Sequence, residues 1–167
     1  MPAGTLILIC GLPGAGKTTL AKKLERERNA IRLCPDEWIE AILDRPDNTA
    51  ERDRLRDPIE NLQWGLAQTY LSQGHTVILE NGFWAEEERT AYAVRALELG
   101  AKIELHAFDV RHDILWQRIL DRNQMLENKT FVMTREEAEY SWSMFQLPTE
   151  KELTFYDHWS IIRTGYS

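Results

Sequence analysis

The chain has little of what stabilises or anchors many small proteins from outside their own cores. It holds only two cysteines in 167 residues, Cys10 and Cys34, and neither falls in a C-x-x-C spacing. A disulfide scaffold is thereby excluded, and reduced, buried thiols of the kind a cytoplasmic protein carries are expected. The four histidines, His75, His106, His112 and His158, show no metal-ligand spacing, so no zinc centre is assigned. No apolar run approaches the roughly 20 residues that span a bilayer. The N-terminus lacks the basic start and apolar stretch of a signal peptide, so no membrane partner is expected. Basic charge is short as well: 20 Lys and Arg stand against 27 Asp and Glu, a net charge of −7. A surface built to grip a nucleic-acid backbone needs positive charge, because phosphates dominate that affinity, so nucleic acid is a disfavoured partner. Repeats, low-complexity tracts and interdomain linkers are also missing, and the length fits one domain over 1–167.

What is present alternates. Short apolar runs at Thr5–Cys10, Ile31–Cys34, Thr76–Glu80, Lys102–Phe108 and His158–Arg163 read as strands. Between them lie amphipathic stretches at Lys17–Arg28, Glu37 to Leu43, Glu51–Gln73, Glu86–Leu99, Asp113–Arg122 and Glu136 to Phe145. Strands alternating with helices predict an α/β fold, a parallel sheet covered by helices. Pro58 is expected to start a second part of the long Glu51–Gln73 helix, and Gly74 and Gly100 to stop the helices before them.

One segment carries specific chemistry. Gly11-Leu12-Pro13-Gly14-Ala15-Gly16-Lys17-Thr18 satisfies G-x-x-x-x-G-K-[ST] at every fixed position, directly between a buried-strand pattern and an amphipathic helix. Glycines allow a tight turn whose N–H groups point inward at phosphate oxygens. The helix that follows adds free N–H groups and the positive end of its dipole. Lys17 is then expected to reach the β- and γ-phosphates of ATP, Thr18 to ligate Mg²⁺ through its hydroxyl, and Thr19 to contact the α-phosphate.

With this loop in place, the chain resembles the small P-loop kinases that include adenylate, shikimate and gluconate kinases. Within that group it is most similar to the AAA-type kinases near chloramphenicol phosphotransferase and the kinase domain of polynucleotide kinase. The resemblance spans about the whole chain. It implies a three-layer P-loop NTPase fold, with five parallel strands in the order 2-3-1-4-5 and a small lid at about 123–138. It also implies a base that takes the acceptor's hydroxyl proton, placed at Asp36 after the second strand. A carboxylate there suits an in-line acceptor, although Asp is also a favoured helix cap. Glu80, closing the third strand, matches an acidic residue that holds a Mg²⁺-bound water. Asn81-Gly82-Phe83-Trp84 is similar to a Gly-x-Trp segment of the same kinases, and Trp38 and Trp84 either line the acceptor pocket or pack in the core. Trp64 faces the same choice.

Arg118 and Arg122, four apart on one helix face, match arginines that pack on the adenine and come down on the phosphates when the lid closes. Lys129 and Arg135 are weaker candidates of the same kind. Polynucleotide kinases carry an arginine three residues after the aspartate, where this chain has Ile39. The expected activity is therefore an ATP- and Mg²⁺-dependent transfer of the γ-phosphate to a hydroxyl of a small-molecule acceptor. A polynucleotide 5′-hydroxyl kinase and a non-transferring ATPase module are the alternatives. No role is assigned to Met144–Glu150 beyond packing.

Overall fold

The computed structural model describes residues 2–45, 48–125 and 132–166. Five strands alternate with helices: β1 (Thr5–Cys10), α1 (Lys17–Arg28), β2 (Ile31–Leu33), α2 (Pro35–Ile42), α3 (Thr49–Ser72), β3 (Thr76–Gly82), α4 (Glu86–Glu98), β4 (Lys102–Val110), α5 (His112–Gln124), α6 (Arg135–Met144), α7 (Glu150–Leu153) and β5 (His158–Thr164). All strand pairs are parallel and the order is β2-β3-β1-β4-β5, as expected.

The sheet is covered on both faces, which is why its central strands read as unbroken apolar runs. Side chains alternate across β1. Leu6, Leu8 and Cys10 enter the core shared with α3 and α4, at Ala67, Leu71, Ala93 and Ala96. Ile7 and Ile9 enter the core under α1 and α5, at Ala21 and Leu115. A third, smaller cluster of Ile39, Leu55 and Ile59 fastens α2 to α3.

Several boundaries differ from expectation, each for a local reason. Pro58 does not divide its helix: α3 runs unbroken through it. Proline removes one N–H and crowds the preceding turn, but the buried stripe Leu55, Ile59, Gln63, Ala67 and Leu71 keeps its four-residue spacing on both sides and holds the helix against the sheet. Asp36 does not cap α2. That helix starts two residues earlier than expected, with Pro35 in its first turn after Cys34, where the fixed φ of proline suits a helix start. β3 continues two residues past Glu80, because after an irregularity in β1 its Gly82 pairs with Cys10. The short helix α7 was missed; Thr149 caps it by accepting from the Glu152 N–H at 3.2 Å.

Candidate functional site

The loop, Asp36, Glu80 and Trp84 all follow or close strands at the carboxyl edge of the sheet. The glycine-rich loop leaves β1 there, with the Gly11 N–H donating to the Gly82 carbonyl at 2.9 Å. It curls back through a turn in which the Ala15 N–H donates to Leu12 O at 3.1 Å. Gly14 and Gly16 take φ of +84° and +110°, a left-handed conformation that glycine enters without steric cost. The loop is thus a compact cup at the N-terminus of α1, a helix whose first turn holds no acidic residue. Free amides and the helix dipole favour an anion in such a place. Leu12 and Ala15 are buried, while Pro13 is half-exposed and Thr18 and Thr19 are exposed.

Lys17 lies across its own loop, donating from Nζ to the carbonyls of Gly11 and Leu12, each at 2.9 Å. Burial lowers its pKa, and the Asp36 charge opposes that effect. A desolvated ammonium held only by carbonyls has charge left over for an incoming phosphate. Arg118 also binds the loop, reaching Gly14 O at 3.0 Å and Ala15 O at 3.3 Å. Arg122, one turn further along α5, is half-buried, and its Nε has no hydrogen-bond partner among the described residues. Burial lowers its pKa, while Asp36 and Glu40 pull it back up, which places this guanidinium within electrostatic reach of α2.

Thr18 Oγ1 donates to Glu80 Oε1 at 3.0 Å, joining the two expected metal contacts across 62 residues of sequence. The pairing tests well for Mg²⁺, a hard cation that takes oxygen ligands and keeps several waters. Cys34, Glu37 and Glu80 bring ligand atoms within 4.8 Å of one another. Burial pushes the Cys34 thiol up to about 12, so that sulfur stays protonated and leaves the oxygens as donors. Glu80 also accepts from Arg32 Nη1 at 2.5 Å, and the same guanidinium reaches Glu37. Burial raises the Glu80 carboxyl despite those partners. Arg32 went unnoticed in the sequence, although a charge in the middle of the short strand Ile31–Leu33 was its signal.

On the acceptor side, Asp36 is exposed in the first turn of α2 and accepts from Arg56 Nη2 at 2.5 Å. Arg56 was also missed; it sits 20 residues away, and only the packing of α2 on α3 brings it near. Trp38 and Trp84 are half-buried, Trp38 against the cores beneath α2 and α3 and Trp84 against the core beneath α1. Both therefore take part in packing. Trp64 lies with its ring centroid 4.3 Å from that of Tyr92.

The edge itself is braced by a network that sequence reading did not find. Arg89 is fully buried on α4 and makes a two-pronged pair with Glu152, at 2.7 and 2.8 Å. It also donates to the carbonyls of Phe83 at 2.8 Å and Trp84 at 3.2 Å. Phe83 sits at φ +50°, and these bonds hold that turn. The Met144–Glu150 segment joins the brace: Gln146 N donates to Trp84 O at 2.8 Å, and Gln146 Oε1 accepts from the Glu86 N–H at 2.9 Å, capping α4.

Of the expected lid, 126–131, including Lys129, lies outside the described residues. Its stems are clasped by Asn123, which donates to Met133 O at 2.9 Å and accepts from Met133 N at 3.1 Å. Arg135 is not brought to the loop. It pairs with Glu139 at 2.9 Å and lies over Trp116 and Trp142, 5.1 and 4.8 Å from their centroids.

Comparison with known proteins agrees with this geometry. A family model described as an AAA domain matches residues 6–148. Among curated protein sequences, none matches the chain. A candidate kinase from Chloroflexus aurantiacus j-10-fl superposes with a TM-score of 0.77 at 21% identity, covering 99% of this chain and 88% of that one. A gluconokinase from Sinorhizobium meliloti 1021 gives 0.66 at 12% identity, covering 100% and 86%. The APS kinase CysC of Mycobacterium tuberculosis, solved with AMPPNP and APS, gives 0.62 at 18% identity, covering 96% and 90%. At such identities the likeness is one of fold. No described helix is long and apolar enough to cross a membrane.

Proposed function

Since the chain belongs to the AAA domain family and is a small P-loop kinase in fold, we propose that it transfers the γ-phosphate of ATP to a hydroxyl of a small-molecule acceptor. One observation carries this reading: a phosphate cup with Thr18 and Glu80 3.0 Å apart opens on the same sheet edge as Asp36. A pure binding module needs the cup alone. The kinase neighbours support transfer, and the solved complex of one of them with AMPPNP supports an adenine nucleotide.

The loop amides and Lys17 bind the β- and γ-phosphates, and Arg118, held by the loop carbonyls, packs on the adenine. Thr18 and Glu80 would hold Mg²⁺, which when bound offsets charge on the phosphate oxygens. The acceptor hydroxyl oxygen bonds to the γ-phosphorus as the bond from that phosphorus to the bridging oxygen breaks. ADP leaves, and the hydroxyl proton passes to the Asp36 carboxylate. Arg56 fixes the orientation of that carboxylate. Arg122 comes onto the transferring group, where its contact counts most in the transition state. The chain acts as one domain over 1–167, in the cytoplasm. Ile39, fully buried in the α2–α3 core, offers no cation to a polynucleotide end.

The test is mass spectrometry of small-molecule pools incubated with protein, ATP and Mg²⁺. A gain of one phosphoryl unit that disappears in Asp36→Ala, with ATP binding retained, is the expected result. Slow hydrolysis alone, unchanged by Asp36→Ala across a broad acceptor panel, would show a binding module instead.

A further inference from the structure

Between α3 and α4, beside the end of β3, gathers a cluster of polar side chains that phosphate transfer does not explain. A chain of ion pairs leads into it from the proposed base: Arg56 is 2.5 Å from Asp36 and 3.9 Å from Glu60 on the next turn of α3. Glu60 on α3 and Glu88 on α4 both act electrostatically on the Tyr92 hydroxyl. That hydroxyl lies 3.5 Å from Asn81 Nδ2. The rings of Trp64 and Phe83 flank Tyr92, with centroids at 4.3 and 5.1 Å.

The charges here do not balance. Burial raises the Glu60 carboxyl to about 7, and Glu88, Asp57 and Asp36 add to the rise, with Arg56 the one cation opposing it. Burial likewise raises Glu88, whose carboxylate makes no hydrogen bond or ion pair among the described residues. Independently of these acids, Gln63 is fully buried one turn beyond Glu60, on the stripe of α3 that faces the sheet. Neither its amide nitrogen nor its amide oxygen has a hydrogen-bond partner among the described residues, and neither has Asn81 Oδ1. A buried amide left without partners is costly, and its presence marks a place that a polar guest completes.

Resting on the kinase reading above, we infer that the acceptor is a compact alcohol that also bears a protonated amine, its ammonium held by Glu60 and Glu88 against the ring of Tyr92. Aromatic faces and carboxylates together are suited to an ammonium ion, and a neutral polyol would leave two acids sharing only Arg56, 3.9 Å from Glu60, and the electrostatic pull of Arg89 on Glu88. Gln63 and Asn81 take the acceptor's remaining polar groups. Because one guanidinium reaches both Asp36 and Glu60, the reacting hydroxyl and the amine lie within the span of Arg56 and its two contacts. The acceptor is therefore small. In the transfer, the hydroxyl oxygen gains the phosphoryl group, its proton goes to Asp36, ADP departs, and the ammonium keeps its protons.

Matched pairs test this: glucosamine against glucose, and 3-amino-1-propanol against 1,3-propanediol, each with ATP and Mg²⁺. The amine member of a pair is expected to be phosphorylated at least tenfold more efficiently in kcat/KM. Glu60→Gln and Glu88→Gln should each cut that ratio about tenfold, with ATP affinity on the same samples reporting that they fold. In parallel, calorimetry without ATP should show the amine probes binding the wild type and losing affinity at least fivefold in both variants. Equal use of amine and neutral acceptors, or amine binding indifferent to both substitutions, overturns the inference and leaves the kinase reading standing. Amine binding that depends on both glutamates, without transfer to any acceptor, upholds the amine site and sinks the kinase reading.

Discussion

The two halves of the candidate site are built by different means. The phosphate side is made mostly of backbone: the loop Gly11–Thr18 uses its own amides and carbonyls, and even Lys17 and Arg118 are held by loop carbonyls. The proposed acceptor side draws on side chains from separate helices, with Asp36 on α2, Arg56 and Glu60 on α3, and Glu88 on α4. A backbone-built site needs only a few fixed residue types in a row. A side-chain-built site can vary its chemistry while the fold stays the same, which is how one scaffold serves many acceptors.

The sharpest way to break this contrast is to remove the brace between the halves. Arg89→Ala should destabilise the protein by about 3–5 kcal/mol, because it strands the buried Glu152 carboxylate. Urea unfolding measures it. Replacing both partners, as Arg89→Met with Glu152→Leu, should restore most of the loss. If the double replacement is as unstable as the single one, the hydrogen bonds to Phe83 and Trp84 matter more than the charge pair.

On the phosphate side, Lys17→Ala should lower kcat/KM by about 10²–10³-fold, the scale of losing one group that stabilises transition-state charge. It should also weaken ATP binding in calorimetry. Undiminished ATP affinity would show that the loop does not cradle a triphosphate.

On the acceptor side, Asp36→Asn should slow transfer about a hundredfold and leave ATP affinity within error of the wild type. The two variants then separate the halves: one impairs nucleotide binding and turnover, the other turnover alone. Equal damage to ATP binding by Asp36→Asn would merge them and assign Asp36 to the nucleotide.

The same division decides what could be read from sequence. The loop was legible in full because its function follows from consecutive residue types, and the sheet because parallel strands buried on both faces read as apolar runs. Strand order came from family resemblance, and the pairing in β1 and β3 agrees with it. Thr18 and Glu80 each sit next to a recognisable strand or loop signal, so both could be named before their 3.0 Å contact was seen. Arg56 and Gln63 carry no such signal. On the 24-residue α3 every fourth residue of the stripe is buried, and nothing local announces that Gln63 is there with its amide unpartnered among the described residues. Arg89 was invisible for a related reason: it occupies the Ala93 and Ala96 stripe of α4, and a charged residue there makes sense only once Glu152 arrives from 63 residues away.

The smallest expected effect tests the charge imbalance of the acceptor side. The Glu60 carboxyl sits at about 7, against an ordinary 4.5. A carboxyl raised on folding contributes stability below its unfolded pKa and loses it as pH climbs through the folded one. One pKa unit corresponds to about 1.4 kcal/mol, so even partial expression of this rise costs about 1 kcal/mol between pH 4.5 and 7. Glu104 works in the opposite sense and in another window. Burial would raise it, but its hydrogen bonds and charge contacts with His106 and Arg28 prevail and hold it at about 2, so its stability is lost only as pH falls from 4.5 toward 2. Chemical unfolding of wild type and Glu60→Gln across pH 3 to 8 therefore isolates the acceptor side. The variant should lose the Glu60 share of the decline above pH 4.5, keep the part owed to the raised Glu80 and Glu88 carboxyls and the acid limb to which Glu104 contributes, and be the more stable of the two at pH 8. A decline left undiminished by the substitution would place the uncompensated charge on another residue, and the contrast between a self-sufficient phosphate cup and a charge-hungry acceptor side would fail with it.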